Sequence, residues 1–330
     1  MTLPTTFNAI VIDRAGGPEV LVPRTMPVPQ PGPGQVLIRV AAAGVNRHDI
    51  NQRASGAHHD GTPVPGLEVA GTLALCGPGV EGLVPGARVM ALVQGGGYGD
   101  YVLAEAPLVF EVPDSLSDTE AACLPEALFT TWWNFFEMMA FQRDQFALIH
   151  GGTSGVGHLA LQALSALGYR VLATSGTTEK TGAALGFGAM AAFSYHDPDL
   201  AAQVMQATGG QGVSALLDMS AGAHVEQDLA MMAPDGVIAH LSPKGNAALA
   251  VPLRALMARR VRITGSFLRP LDLTRKTRVA DRLRAEVMPL LGRQVRPVIA
   301  HSFTMNDAAR AHAVMEKSAP IGKIVLSMGH

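Results

Sequence analysis

The first third of the chain alternates short apolar runs with clusters of turn-forming residues. Apolar side chains predominate at residues 7–12, 36–40 and 87–92, and Gly/Pro-rich clusters at residues 29–34 and 95–99 separate these runs. Short runs of this kind, bounded by Gly and Pro, are typical of strands joined by turns. The pattern therefore predicts a small β-rich domain in this part of the chain.

Beyond about residue 117 the segments lengthen and alternate between helix and strand periods. Short apolar strands are predicted at residues 146–150, 170–174, 215–218 and 236–241, with a helix over residues 156–167. Strands that alternate with helices form βαβ units and a parallel sheet. The elements predicted further along are a strand over residues 261–267, an arginine-rich helix, a strand near Val298, a helix over residues 306–316 and a strand over residues 323–327.

Composition narrows the class of protein. The 330 residues are 48% hydrophobic and 16% charged, which indicates a folded chain with room for two domains. A formal charge of −2 disfavours nucleic-acid binding, and no apolar run approaches the roughly 20 residues that span a bilayer. Residues 1–8 show no secretory signal, and Cys76 and Cys123 are interpreted as buried free thiols. We therefore expect a cytoplasmic protein without a membrane or nucleic-acid partner.

A glycine-rich loop carries the main functional hypothesis. The predicted strand 146–150 leads directly into Gly-Gly-Thr-Ser-Gly-Val-Gly at residues 151–157, and a helix follows. Glycines allow a tight turn and close approach to a pyrophosphate, and the helix amino terminus offers free N–H groups. A purely structural turn between strand and helix is the alternative, because glycine-rich turns are common.

The end of the next strand distinguishes between the two nicotinamide cofactors. Sheets that bind NAD usually carry Asp or Glu there to bind the ribose diol. Residues 173–178 read Ala-Thr-Ser-Gly-Thr-Thr, with no acid, and Lys180 follows. Hydroxyls and a lysine suit a 2′-phosphate, so the sequence favours NADPH. Taken alone, Lys180 could equally be a solvated surface residue.

No metal site or nucleophilic triad is predicted. Neither cysteine stands in a spacing typical of zinc ligands, and His58-His59 in a glycine-rich loop reads as a solvated turn. There is also no Gly-x-Ser-x-Gly elbow. The chemistry expected is therefore hydride transfer from a nicotinamide.

Six segments along the chain carry a family pattern: residues 43–49, 65–71, 124–132, 150–157, 265–270 and 321–326. Together they resemble the zinc-free quinone oxidoreductase (zeta-crystallin-like) branch of the medium-chain dehydrogenase/reductase superfamily, closest to the subgroup of the tumour-suppressor-inducible quinone reductase. The resemblance implies an α/β chain of two domains. A GroES-like β-rich catalytic domain would comprise residues 1–122 and 270–330, and a Rossmann doubly wound parallel-sheet domain that binds NADPH would comprise residues 123–269.

The resemblance also implies roles for individual residues. Zinc-dependent relatives carry a Cys ligand where this chain has Asn46, and a His-Glu pair where it has Leu67-Glu68. The residues implied to act at the reacting atoms are Asn46, Asp49 and Thr130. The implied cofactor contacts are Asn46, Thr130, Gly152, Thr153, Ser154, Gly155, Val156, Gly176, Lys180, Tyr195, Leu241, Ser242, Phe267, Leu268, Arg269 and Lys323. Asn46 could instead be a turn former, and Tyr195 an ordinary half-buried aromatic residue.

One departure from the family pattern concerns the substrate side. Family members usually carry a tyrosine shortly after the Gln-Arg pair, whereas this chain has Ala57 and His58 there. The loss could open the pocket, or a histidine could replace the hydrogen bond.

The sequence is consistent with three functions. The first is an NADPH-dependent, metal-free reductase of a quinone or an α,β-unsaturated carbonyl. The alternatives are an enoyl-type reductase of a biosynthetic pathway and a non-catalytic NADPH-binding protein. A homodimer is also expected, because the resemblance places the strand 261–267 at a sheet edge, and exposed edges tend to be covered.

Overall fold

The structure is a computed structural model that describes residues 3–58, 61–222, 224–243 and 248–329. The chain divides into two compact units. Unit 1 comprises Met1–Glu126, Lys276–Arg284 and Leu291–His330, and unit 2 comprises Ala127–Arg275 and Ala285–Leu290. The boundaries proposed from the sequence, after residues 122 and 269, stay a prediction. His59 of the predicted solvated turn lies outside the described residues.

Strands and helices follow one another in both units. In chain order, the strands of the described residues are β1 (Thr6–Ile12), β2 (Leu21–Pro27), β3 (Gln35–Val45), β4 (Glu68–Cys76), β5 (Arg88–Leu92), β6 (Tyr101–Glu105), β7 (Val109–Glu111), β8 (Phe146–His150), β9 (Arg170–Ser175), β10 (Ala192–Ser194), β11 (Val213–Asp218), β12 (Met232–His240), β13 (Arg262–Gly265), β14 (Ile299–Thr304) and β15 (Lys323–Ser327). The α-helices among them are α1 (Arg47–Ser55), α2 (Asp118–Ala121), α3 (Pro125–Trp132), α4 (Gly157–Ala166), α5 (Thr178–Gly186), α6 (Leu200–Ala207), α7 (Val225–Met231), α8 (Leu253–Arg259), α9 (Leu273–Glu286) and α10 (Ala308–Lys317).

Unit 1 is built on a largely antiparallel sheet. Its strand order is β14-β15-β3-β4-β5-β7, β6 pairs with β3 outside this order, and β1 and β2 form a separate antiparallel pair. Val36, Leu37, Ile38 and Val40 of β3 are buried, and they share one core with apolar residues of β1, β4 and β15. The long central strand β3 therefore organises the unit.

Unit 2 contains a six-stranded sheet of parallel strands in the order β10-β9-β8-β11-β12-β13. If its strands are numbered from β8, this is the order 3-2-1-4-5-6 of doubly wound dinucleotide-binding sheets. Successive residues of β8 pack into two different cores, Ala147 and Ile149 on one face and Phe146 and Leu148 on the other. Burial on both faces explains why these strands read as unbroken apolar runs.

The predicted fold class is confirmed: a β-rich unit accompanies a doubly wound parallel sheet. The last strand matches the prediction residue for residue, and the helix after the glycine loop is Gly157–Ala166 rather than residues 156–167. β3 was predicted to end at residue 40 but continues to Val45 through small residues. The strand predicted at residues 261–267 is shorter, Arg262–Gly265, and the last backbone bond to β12 in this region is from the Ser266 N–H to the His240 carbonyl at 3.2 Å.

The structure also bears on the predictions for the sheet edge, the cysteines and membrane-spanning helices. β13 lies at one end of the sheet order of unit 2, as predicted. Cys76 and Cys123 are both free thiols; Cys123 is buried, but the prediction of burial was wrong for Cys76, which is half-buried at the end of β4. Across the described ranges, no helix is both long enough and apolar enough to cross a membrane.

Candidate functional site

The glycine loop of unit 2 is shaped by close backbone contacts. Gly151 has a φ of 75°, in the left-handed region that favours glycine. A Cβ on Gly157 would lie 2.3 Å from the Gly151 carbonyl oxygen, and a Cβ on Gly152 would lie 2.6 Å from the Cβ of Ala173. The Ser154 hydroxyl accepts a hydrogen bond from the Gly157 N–H at 3.0 Å. The glycines therefore allow β8 to turn directly into α4.

The predicted contacts Thr153, Gly155 and Val156 lie in the same turn. Thr153 is buried, whereas Gly155 and Val156 are half-buried at the start of α4. The amino end of α4 carries the positive end of its helix dipole and N–H groups that precede the first helical turn. This arrangement can hold a phosphate group.

The end of β9 has hydroxyls and no carboxylate. Ser175 is buried, and its Oγ has no hydrogen-bond partner among the described residues. Thr177 caps α5 by accepting from the Lys180 N–H at 3.3 Å. A Cβ on Gly176 would lie 2.3 Å from the Tyr195 hydroxyl oxygen, so Tyr195 covers this glycine while 49% of the residue stays exposed. The structure thus brings Gly176, Lys180 and Tyr195 to one end of the sheet.

The remaining predicted contacts of unit 2 lie after β12 and β13. Leu241 and Ser242 are half-buried and follow β12, and their backbone groups bond to Asp218 and Ala221. Phe267 is 70% exposed, whereas Leu268 and Arg269 are half-buried. They follow β13 as the chain leaves the sheet.

Thr130 lies in α3 and is almost fully buried. Its carbonyl accepts a hydrogen bond from Asn134 Nδ2 at 2.8 Å, and Asn134 Oδ1 accepts from Ser266. Asn134 lies in a π-helical turn, Trp133–Met138, of the kind that is frequent at functional sites. Sequence reasoning missed Asn134, because a π-turn leaves no distinctive residue pattern.

A buried polar cluster forms where three neighbouring strands of unit 1 begin or end. Asn46 follows β3, Glu68 begins β4 and Lys323 begins β15. Lys323 Nζ lies 2.6 Å from Glu68 Oε1 and donates to Asn46 Oδ1 at 2.7 Å. Asn46 Nδ2 donates to the same Glu68 oxygen at 2.9 Å, and the Glu126 N–H donates to the other at 2.9 Å. We refer to Asn46, Glu68 and Lys323 as the ammonium cluster.

Glycine makes room for this cluster. A Cβ on Gly44 would lie 2.2 Å from Glu68 Oε1 and 2.7 Å from the Ala122 carbonyl oxygen. Any larger residue at this position would therefore displace the carboxylate. This is the local reason for a glycine at this position of β3.

The charges of the cluster compensate each other. Burial lowers the pKa of Lys323, but the adjacent Glu68 carboxylate more than offsets this effect, and the pKa lies above its usual range. The nearby Cys123 thiol has a strongly raised pKa, because it is fully buried. The cluster therefore holds a permanent ammonium, and the Cys123 thiol near it stays protonated.

Asp49 lies beside this cluster and is completely buried. Its carboxylate accepts from the Asn46 N–H at 2.8 Å, from the Gly66 N–H at 3.2 Å and from the Tyr98 hydroxyl at 3.3 Å. Burial raises its pKa to about 7, although the two N–H donors act against that shift. In this arrangement Asp49 fixes the backbone of Asn46.

A second polar arrangement crosses the carboxyl ends of four strands in unit 2. Strand register places Thr174 of β9 beside His150 of β8, His150 beside Asp218 of β11, and Asp218 beside His240 of β12. Because the row spans four neighbouring strands, its side chains share one edge of the sheet. We call these four residues the polar row. None of His150, Asp218 and His240 was singled out from the sequence, because each stands alone at the end of an apolar run.

The two residues at the position of the missing tyrosine differ in exposure. His58 is exposed and Ala57 half-buried. The hypothesis that His58 replaces the tyrosine stays a prediction.

Two known protein families match the chain. The alcohol dehydrogenase GroES-like domain family matches residues 32–114, and the zinc-binding dehydrogenase family matches residues 155–283. Quinone oxidoreductase from Sus scrofa is 29% identical over 329 residues and covers 97% of each chain. A solved mycobacterial quinone oxidoreductase is 30% identical, with a TM-score of 0.83, and covers 97% of this chain and 99% of that one.

The chain belongs to the quinone oxidoreductase branch of the medium-chain dehydrogenase/reductase superfamily. Membership of this branch makes it an oxidoreductase. A mycobacterial structure complexed with NADPH is 29% identical, with a TM-score of 0.85, and covers 97% of this chain and 99% of that one. A phenolphthiocerol/phthiocerol polyketide synthase protein of Mycobacterium tuberculosis is 32% identical over 327 residues, which are 96% of this chain and 14% of that protein.

The ion pair of the ammonium cluster provides a test of this oxidoreductase's structure. Lys323→Met leaves the Glu68 carboxylate buried without its counter-ion, which costs about 3–5 kcal/mol of unfolding free energy. The double variant Lys323→Met/Glu68→Gln should recover most of this loss, since no unpaired charge remains. Urea denaturation measures both. Lys317→Met, at an exposed lysine, is the control and should leave the free energy unchanged. Equal destabilisation in the single and double variants would show that the pair is not coupled.

The buried Asp49 carboxyl predicts a pH dependence of stability. Its pKa is 3.8 in the unfolded chain and about 7 in the folded one, so the folded state binds the proton more readily between these values. The stability of the wild type relative to Asp49→Asn should therefore fall as pH rises from 4 to 7, by up to about 4 kcal/mol, and stay constant above that range. Asp114→Asn, at an exposed site, is the control. A rise of the relative stability with pH would mean that the N–H donors, not burial, dominate.

Proposed function

We propose that this oxidoreductase uses NADPH to reduce a quinone or an α,β-unsaturated carbonyl without a catalytic metal. The observation that carries the proposal is the end of β9, where Ser175, Thr177 and Lys180 stand in place of a carboxylate. The similarity to a mycobacterial structure complexed with NADPH supports it.

The residues present fit a phosphorylated dinucleotide. The glycine turn before α4 suits the pyrophosphate, since a Cβ on Gly157 or Gly152 would close the turn. The Ser175 Oγ, which has no partner in the described part of the chain, and the amino end of α5 are suited to the 2′-phosphate, with Lys180 in the first turn. A carboxylate here would repel that phosphate. Bound NADPH supplies the hydride for the reaction.

The donor set of the ammonium cluster supports metal-free chemistry. Zinc binds thiolates, imidazoles and carboxylates, whereas an amide and an ammonium occupy two of the three positions of the cluster. Glu68 is the one zinc-type ligand among them, and both of its oxygens already accept hydrogen bonds. Lys323 thus supplies the positive charge that neutralises Glu68.

Asn46 is the residue proposed to act on the substrate. Its amide orientation is fixed, since Oδ1 accepts from Lys323 and Nδ2 donates one hydrogen to Glu68. The second Nδ2 hydrogen can donate to the oxygen of the acceptor, where charge develops as hydride reaches carbon. Water then protonates that oxygen. Asp49 is a positioning residue that holds the Asn46 backbone, and Thr130 is proposed to contact the nicotinamide.

An enoyl-type reductase is the second candidate. The 32% identity to a segment of a polyketide synthase favours it, as does the absence of the family tyrosine near Ala57. The chemistry would be the same, with hydride added to an electron-poor carbon. A homodimer through β13 is also proposed, because that strand ends the sheet order of unit 2.

A substrate panel tests the proposed function. Oxidation of NADPH is followed with para-quinones, simple enones and enoyl thioesters. We expect turnover of quinones or enones, with kcat/KM at least about tenfold lower for NADH than for NADPH. A preference for enoyl thioesters by orders of magnitude would favour the second candidate. NADPH binding without turnover of any acceptor would instead identify a non-catalytic NADPH-binding protein.

The cofactor preference is tested at Lys180. Loss of a charge-assisted contact in Lys180→Met should weaken NADPH binding by about tenfold or more and leave NADH binding unchanged. Fluorescence titration of each cofactor measures this. Lys317→Met serves as the matched control for removal of a lysine charge. An equal loss for NADPH and NADH would place the contribution of Lys180 elsewhere than at the 2′-phosphate.

A further inference from the structure

Two further polar residues, His224 and Asp228, lie next to His150 of the polar row. His224 immediately precedes α7, and Asp228 follows it at the i+4 position, so both face the same side of the helix. One ligand atom from each of His150, His224 and Asp228 lies within 4.8 Å of the other two. His150 and Asp228 are buried, and His224 is half-buried. The three residues converge at the carboxyl ends of β8 and β11.

Polar contacts orient both imidazole rings of the cluster. His150 Nδ1 lies 2.7 Å from Thr174 Oγ1, which directs the opposite ring nitrogen, Nε2, to Asp228 Oδ1 at 2.9 Å. His224 Nε2 lies 3.1 Å from Asp218 Oδ2 and 3.8 Å from Asp228 Oδ2. Metal-binding histidines are usually oriented through the nitrogen that does not ligate, as His150 is here. His224 differs, because its Nε2 would have to leave Asp218 in order to ligate.

The carboxylates of this cluster have no lysine or arginine partner among the described residues. Among the described residues, the recorded ion pairs of Asp218 and Asp228 are all with histidines, which are charged only when protonated. Asp228 is completely buried, yet its Oδ2 accepts no hydrogen bond from any described residue. A buried carboxylate oxygen without a donor is costly, and a cation would satisfy it.

We propose that His150, His224 and Asp228 form a binding site for a divalent metal ion of the type of Zn²⁺ or Co²⁺. Two imidazoles and one carboxylate are typical ligands of such ions, and three protein ligands leave one position for water. Mg²⁺ and Ca²⁺ prefer oxygen ligands alone and would be excluded. The site is in unit 2 and uses none of the residues of the ammonium cluster.

Little rearrangement is needed to bring the ligands to bonding distance. Ligand atoms about 2.0–2.1 Å from a tetrahedral metal lie roughly 3.3 Å from one another. His150 Nε2 and Asp228 Oδ1 are already 2.9 Å apart, so His224 must make most of the movement. Its side chain is 36% exposed, and turning toward the ion would exchange its hydrogen bond to Asp218 for a metal bond. Bound metal would tie α7 to the strand that precedes the glycine loop.

Titration of the full chain with Co²⁺ tests the proposal. Protein treated with a chelator should bind one Co²⁺ per chain, with the visible absorption bands of four-coordinate cobalt, and Zn²⁺ should displace it. The apparent Tm should rise with Zn²⁺, because the ion binds the folded state. His224→Asn should lower the Co²⁺ affinity by at least about tenfold and abolish the Tm rise.

Two control variants separate the site from other binding. His301→Asn removes an exposed histidine of unit 1, and His240→Asn removes a partner of Asp218 but none of the three ligands. Both should keep the affinity of the wild type. Three results would overturn the proposal: no stoichiometric Co²⁺ binding, equal affinity in His224→Asn and the wild type, or a thiolate charge-transfer band, which would assign the ion to a cysteine. If His224→Asn were unfolded by circular dichroism, His224→Gln would replace it in the same titration.

Discussion

The contact between Lys323 and Glu68 is the constraint on which unit 1 depends. It joins the first residues of β15 and β4, and Asn46 connects both to the end of β3, the strand that lies between them. Three strand ends are thereby fixed by one ammonium group. A buried ion pair of this kind contributes little net stability compared with apolar residues, but loss of one partner is strongly destabilising. The pair therefore sets the positions of the strand ends more than it adds to the stability of the unit.

Much of the fold could be predicted from the sequence because it is encoded locally. The strands of unit 2 are short apolar runs between turns, and the glycine turn between β8 and α4 is continuous in sequence. The same holds for the missing carboxylate at residues 173–178. The partners of Asn46 could not be predicted by such reasoning. Glu68 and Lys323 lie 22 and 277 residues from it, and only the strand order β15-β3-β4 brings them together. The polar row escaped prediction for the same reason, since strand register alone aligns its members.

The two polar clusters balance buried negative charge in different ways. In unit 1, the pKa of Lys323 lies above its usual range, so Glu68 keeps a permanent counter-ion at any ordinary pH. In unit 2, Asp218 and Asp228 have histidines as partners. An imidazole can be neutral, protonated or bound to a metal, so the charge of this second cluster depends on its surroundings. The first cluster therefore keeps the same charge over the ordinary pH range, whereas the charge of the second can change.

The polar row also has a consequence for how the sheet of unit 2 assembles. Along β8 and β11, the last position carries a group that requires polar partners on the neighbouring strands, whereas the residues just before it are apolar. A slip of one residue between these strands would place His150 or Asp218 against apolar neighbours and reverse the face on which each side chain lies. The histidines and the aspartate at the strand ends thus specify the register. Without them, the apolar side chains of these strands are nearly interchangeable and would specify it only weakly.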